Sequence, residues 1–107
     1  VAVKLEVDHI IPPMYAHTHG GDRWTPEKKL AFANDPLNIM LIDRREIRRK
    51  RDRGPSRYLP RDEFQCEYIN LWDQISEKYD LQLSTSDRST ISRLNSDCSE
   101  ANLPKDQ

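Results

Sequence analysis

One long amphipathic pattern limits how this sequence can fold. Between about residues 61 and 79, apolar side chains recur at spacings of three and four, which predicts a helix with one apolar stripe. Only 36% of the 107 residues are hydrophobic and 33% are charged, so the core must be small. A chain of this length fits one domain. The stripe consists of Phe64, Tyr68, Trp72, Ile75 and Tyr79.

A second helix is predicted at about 87–98, with Ile91, Leu94 and Cys98 on one face. Cys98 and Cys66 lie 32 residues apart and make no CxxC pair, which argues against a cysteine zinc site. In an exported protein they would form one disulfide between the two helices. In a cytosolic protein they would be two small core residues, and the sequence leaves both readings open.

Two short strands are predicted in the first half of the chain. Residues 3–11 read as a strand that ends at Pro12 and Pro13, because proline cannot extend a central ladder. Residues 38–42, with the sequence NIMLI, form the second. Between them we expect a loop at 14–24, which turns at Gly20 and Gly21, and then a helix.

That helix should begin with Thr25 as its N-cap and Pro26 in the first helical position. It should bury a face formed by Leu30, Phe32 and Ala33 and end in the segment ANDP, because Pro36 disfavours helix in the residue before it.

Positive charge is concentrated in one predicted helix at about 43–53. Gly54 and Pro55 end this helix. Its segment RREIRRKRDR, residues 44–53, contains seven basic and two acidic residues. The chain as a whole carries a net charge of −1. A run this dense indicates a local anion-binding surface, with a solvated helix face as the alternative.

Asp8 and His9 lie side by side at the end of the first strand. A histidine there can act as a general base near neutral pH, and an aspartate can hold a divalent cation. Taken alone, the dipeptide also fits a purely structural role. The aspartate would then cap the loop, and the histidine would form a hydrogen bond with a backbone carbonyl.

The wider pattern resembles the HNH, or ββα-metal, nucleases. The segments VDHIIP, AHTHGGDRW, FANDPLNIMLI and KRDRGPSRYLP are similar to the compact HNH domain of GmrSD-like modification-dependent restriction systems and related small bacterial nucleases. The resemblance runs from Glu6 to Cys98. It implies an α+β fold, in which a core of two short antiparallel strands and a helix is supported by two C-terminal packing helices.

The resemblance also implies a metal-dependent DNA endonuclease. His9 matches the histidine that deprotonates the attacking water, and Asp8 matches the strand ligand of the cation, Mg²⁺ or Mn²⁺. Asn38 matches the asparagine that steadies the histidine's loop, and Lys50 matches the lysine after the third motif position. Backbone contacts to DNA are expected from Arg48, Arg49, Lys50, Arg51 and Arg53.

Ile47 departs from the family pattern, because it occupies the third motif position, where the family has Asn or His. Isoleucine cannot bind a metal. Glu46 or Asp43 would have to supply the missing ligand if the domain is active. The alternative is a catalytically silent HNH-like module that binds DNA. Arg51 likewise stands where the family usually has glycine.

We expect residues 1–107 to form one nuclease-like domain, with a core motif at about 4–54, a helical buttress at about 60–98 and a frayed tail at 99–107. No apolar run approaches the length of a membrane span. The first residue is Val1, which fits a processed product or part of a longer chain, so other domains are candidate partners. The cytoplasm is favoured as the location, and secretion is the alternative if Cys66 and Cys98 are bonded.

Overall fold

The computed structural model describes residues 4–101, and they form an α+β fold. Strands β1 (Leu5–His9) and β2 (Ile39–Asp43) pair antiparallel, with Leu5 opposite Asp43 and His9 opposite Ile39. The predicted class, with two short antiparallel strands, is confirmed. The described residues also form five α-helices: α1 (Pro13–Thr18), α2 (Pro26–Asn34), α3 (Arg44–Lys50), α4 (Asp62–Lys78) and α5 (Thr85–Ala101).

The segment expected to be a loop, 14–24, is mostly helical. Helix α1 begins at Pro13 because proline suits the first helical position, and it buries Tyr15 and Ala16 in the core. A 3-10 turn at Gly21–Arg23 follows. The chain turns at Gly20, whose φ of 117° lies in the region that favours glycine. The prediction was wrong because the two glycines suggested a loop for the whole segment, whereas α1 ends before them.

Helix α2 begins as predicted, because the Thr25 side chain accepts a hydrogen bond from the backbone N–H of Lys28. Its buried face is narrower than expected. Phe32 is buried, whereas Leu30 and Ala33 are exposed. One aromatic residue therefore anchors this short helix, and it packs against Trp24 and Tyr79 with ring centroids 5.3 and 5.1 Å away.

Helix α4 is the centre of the core, as its pattern predicts. Trp72 and Ile75 are wholly buried, and Tyr68 and Tyr79 nearly so. Phe64 is the exception, because its side chain, in the first turn, is 53% exposed beside the sheet. The apolar stripe thus begins one turn before the part of α4 that other described residues bury.

Helix α5 packs along α4, and the two cysteines join them. Cys66 and Cys98 form a disulfide with 5.7 Å between their Cα atoms. Of the two alternatives, a disulfide or two separate core cysteines, the structure has the disulfide. The buried carboxylate of Asp87 accepts hydrogen bonds from the Tyr15 hydroxyl at 2.5 Å and from the backbone N–H of Ser56 at 2.8 Å. Residues 99–101, expected in a frayed tail, continue the helix. The rest of that tail, like residue 3 of the first predicted strand, lies outside the described residues.

Candidate functional site

The end of β1 brings together four of the residues selected from the sequence. Asp8 and His9 are half-buried, and Lys50, from the last turn of α3, reaches both. The Lys50 ammonium donates to the His9 carbonyl at 2.6 Å and lies 3.2 Å from Asp8 Oδ2. Asn38 lies beside the same strand end, just before β2 begins. The hairpin and α3 therefore meet at the Asp8–His9 pair.

Lys50 is wholly buried, in contrast to our expectation that it contacts DNA. Burial lowers the pKa of its ammonium, and the nearby Asp8 carboxylate opposes that shift. A charge in this position holds the strand end to the helix and is not accessible to a phosphate. The expected DNA-binding set is thereby reduced to Arg48, Arg49, Arg51 and Arg53.

The His9 imidazole is held by a backbone group. Its Nε2 lies 3.0 Å from the carbonyl oxygen of Ala33, near the end of α2. Because a carbonyl only accepts, the proton must be on Nε2, and this leaves the lone pair on Nδ1. No described residue forms a hydrogen bond with Nδ1 of His9. The ring is thus oriented, and one nitrogen remains able to accept a proton.

Asn38 fixes the chain that follows the histidine. Its side-chain Oδ1 accepts from the Ile11 N–H at 2.8 Å, and its Nδ2 donates to the Ile11 carbonyl at 3.2 Å. Its own carbonyl accepts from the N–H of Ile10 at 2.8 Å. Asn38 is fully buried and closes the 3-10 turn Pro36–Asn38. These contacts hold the backbone at Ile10 and Ile11, directly after His9.

The two carboxylates expected to help hold a metal are engaged elsewhere. Asp43 is the N-cap of α3 and accepts from the backbone N–H of Arg45, which lowers the pKa of its carboxyl. Glu46 accepts from the Tyr58 hydroxyl at 3.0 Å and pairs with Arg49 at 2.9 Å. Each of them would therefore share its oxygens between these partners and a cation, as Asp8 would with Lys50.

A divalent cation fits this site only in part. The Asp8 side chain is 23% exposed, so one carboxylate can face a ligand, although Lys50 competes for it. Among residues 4–101, no group of three or more His, Cys, Asp or Glu side chains could hold a metal ion. Mg²⁺ can be held by one or two carboxylates together with waters and substrate phosphates. A cation here would depend on such groups as well as on Asp8.

Only part of the basic run on α3 presents free charge. Arg44 pairs with Glu6 at 2.6 Å, and Arg45 and Arg49 pair with carboxylates of the same helical segment. Within the described part of the chain, Arg48, Arg51 and Arg53 form no ion pair. These three belong to the end of α3 or the turn after it, next to the strand end that Lys50 contacts.

Tyr58 is a member of this site that the sequence did not reveal. Its hydroxyl donates to Glu46, and burial together with that hydrogen bond raises the pKa of the phenol. The Ala33 carbonyl that orients His9 was missed as well. It is a backbone group, and no side-chain pattern can reveal it. The only available signal for Tyr58 was an aromatic residue after the turn at Gly54 and Pro55.

The chain is similar to a distant relative among known proteins. That relative is described as an uncharacterized secreted protein of Arthroderma benhamiae and is 28% identical over 100 residues, which cover 91% of this chain and 49% of that protein. The chain thus spans about half the length of the relative. No family model matches the sequence, and no solved structure matches it.

The disulfide is of the kind found in proteins of oxidising compartments. Together with the secreted relative, it is consistent with the secretion alternative, and our preference for the cytoplasm is not supported. None of the helices in the described residues is long and apolar enough to cross a membrane.

Proposed function

We propose that this chain is an HNH-type, ββα-metal endonuclease domain that hydrolyses DNA phosphodiester bonds. The main support is the contact of the Lys50 ammonium with the His9 carbonyl and the Asp8 carboxylate. It ties the arginine-bearing end of α3 to the strand end that carries a candidate base. Asn38 and the Ala33 carbonyl add the orientation that such a base requires.

His9 serves as the general base. With Nε2 held by the Ala33 carbonyl, Nδ1 takes the proton of the attacking water. The carbonyl also stabilises the imidazolium that forms, because Nε2–H remains its donor in either protonation state. Proton transfer to a positioned base contributes about 10²–10⁴-fold to rate. His9 should therefore be the single most sensitive residue for cleavage.

A divalent cation would be held by Asp8, with water and phosphate oxygens completing its shell. When bound, it would neutralise charge on the phosphate. The arginines Arg48, Arg49, Arg51 and Arg53 would contact the DNA backbone, which gives affinity without sequence information.

The silent module is a second candidate, and specific observations favour it. The Lys50 ammonium already occupies one side of Asp8, Glu46 and Asp43 are engaged, and Ile47 removes the usual third ligand. In this case the same arginines would bind DNA, and His9 would only close the strand end. The two candidates make opposite predictions about cleavage and the same prediction about binding.

We further propose that the protein acts outside the cytoplasm. The Cys66–Cys98 bond and the name of the relative support this location. A glutathione-reducing compartment would not maintain such a bond unless it is thermodynamically resistant to reduction.

Cleavage of supercoiled plasmid in Mg²⁺ or Mn²⁺ tests the nuclease. We expect wild-type protein to nick the plasmid, and His9→Ala and His9→Gln to lose about 100-fold or more in rate. His17→Gln is the matched control, because His17 is exposed on α1. Binding of the same plasmid should be unchanged in all variants.

Two outcomes contradict the proposal. If the His9 variants nick as fast as wild type, His9 is not the base. If wild-type protein binds DNA but does not cut it at any metal concentration, the silent module replaces the nuclease.

A further inference from the structure

Strand β2 has an open edge. Bonded and non-bonded pairs alternate in an antiparallel ladder, and Ile10 N–H donates to the Asn38 carbonyl. Ile39, Leu41 and Asp43 therefore stand in non-bonded pairs and direct their backbone groups away from β1. The Leu41 N–H and C=O have no hydrogen-bond partner among the described residues. An unpaired edge of this kind is a template for another strand.

A groove of about 970 Å³ runs along this edge. All five residues of β2 line it, although their side chains alternate between the two faces, so the groove borders the edge of the strand. The opposite wall is the first half of α4, with Phe64, Tyr68 and Leu71. Leu41 is 67% exposed and Phe64 is 53% exposed, so apolar surface lies open on both sides.

The charge of the groove favours a polypeptide over a nucleic acid. Its lining includes three arginines, Arg45, Arg49 and Arg61, and three carboxylates, Asp43, Glu46 and Glu67. The lining residues have no net charge, so a polyanion gains no overall attraction. A segment with little net charge and apolar side chains matches both the balanced rim and the apolar walls.

We propose that this groove binds an extended, net-neutral peptide segment, which adds to β2 as a third strand. The backbone of Leu41 would supply the central hydrogen bonds, and alternate apolar side chains of the peptide would pack on Phe64 and Leu71. An extended residue in a packed sheet fills a block of about 3.3 by 4.8 by 10 Å, so the groove holds about six residues. This length is close to that of β2 itself.

A synthetic peptide tests the proposal without DNA or metal. The probe is N-acetyl-Lys-Val-Thr-Val-Glu-Val-Thr-amide carrying a fluorophore, and anisotropy measures its binding. Leu41→Pro removes one outward N–H and no ladder bond, which an edge strand tolerates. We expect it to weaken peptide binding at least tenfold. Val7→Pro is the matched control, because Val7 pairs with Leu41 and directs its N–H to the other edge of the hairpin. It should bind normally.

A second measurement does not depend on the folding of any variant. The same peptide, N-methylated at alternate backbone nitrogens, should fail to bind wild-type protein. The proposal is overturned if the methylated peptide binds as well as the unmodified one, or if the unmodified peptide does not bind at millimolar concentration. It is also overturned if a deoxythymidine 10-mer displaces the peptide and loses affinity in Leu41→Pro, because the groove would then be a nucleic-acid site.

Discussion

Burial of the Lys50 ammonium carries a desolvation cost, and the oxygens of two consecutive residues offset it. Truncating the lysine would leave the His9 carbonyl and the Asp8 carboxylate without this partner, and the loss of a partner in a buried pair costs about 3–5 kcal/mol. The exposure of Asp8 reduces that figure. The lysine is thus a positioning residue, since it holds the backbone of the candidate base.

Asn38→Ala should destabilise the protein by roughly 3 kcal/mol. The substitution removes the partners of the Ile11 N–H and carbonyl in a fully buried site, and each unsatisfied group costs about 1–3 kcal/mol. Denaturant unfolding followed by circular dichroism measures the loss. Asn70→Ala, on the exposed face of α4, is the control and should change stability by less than about 0.5 kcal/mol. Equal losses in the two variants would show that Asn38 does not hold the loop.

Single residues differ in how far the sequence predicts their contacts. Thr25 could be recognised as a cap, because capping depends on residue type and local position. The burial of Lys50 could not, because its partners lie 41 and 42 residues away on β1. Charge is visible in a sequence, but the desolvation of that charge depends on the tertiary fold.

At the scale of elements, helix α3 determines which arginines are available. It ends at Lys50, three residues before the predicted end, because Arg51 adopts a φ of 47°. This conformation favours glycine, the residue usual at this position in the HNH pattern. Arg51 and Arg53 consequently lie in the turn after the helix and do not continue its basic face.

DNA affinity should fall steeply with salt, and replacement of Arg48 and Arg49 by alanine should reduce that dependence. Each phosphate contact contributes about 0.9 to the slope of log affinity against log salt, so loss of both arginines should lower the slope by about 1.8. Fluorescence anisotropy with a duplex at several salt concentrations measures it. Arg88→Ala with Arg93→Ala, on the exposed side of α5, is the control. An unchanged slope in the α3 variant would place the DNA surface elsewhere.

Ile47→Asn should lower the Mg²⁺ concentration needed for plasmid nicking, or create nicking if the native domain is silent. The amide would restore the oxygen ligand that the HNH resemblance implies at this position of α3, where the substitute carboxylates Asp43 and Glu46 already have other partners. A Mg²⁺ titration of nicking compares wild type, Ile47→Asn and the control Ile47→Leu. If the asparagine variant behaves like the leucine variant at all concentrations, this position does not contact the cation.

At the scale of the whole molecule, the core follows from the sequence more closely than the surface does. The stripe on α4 predicts Trp72 and Ile75 as buried, because helical periodicity and hydrophobicity agree there. Phe64 shows the same period but lies in the groove beside β2, since the described core has no element that covers it. The spacing of apolar residues predicts which face of a helix is apolar. Whether that face is buried depends on the elements that pack against it.

Helix α5 is held at both ends, and this arrangement predicts the effect of reduction. Asp87 binds Tyr15 and Ser56 near the start of α5, whereas Cys98 ties its end to Cys66 near the start of α4. Closing a loop of 32 residues should stabilise the fold by about 3.7 kcal/mol through the unfolded chain.

Cys66→Ser with Cys98→Ser should therefore lower the free energy of unfolding by about that amount. It should also increase hydrogen exchange in the last turns of α5 while the Asp87 end stays protected. Chemical denaturation with and without a phosphine reductant measures the first effect, and exchange mass spectrometry measures the second. The reductant should destabilise wild type and leave the double serine variant unchanged. If wild type is equally stable in both conditions, packing between the helices suffices, and the disulfide would then reflect the compartment and not a need of the fold.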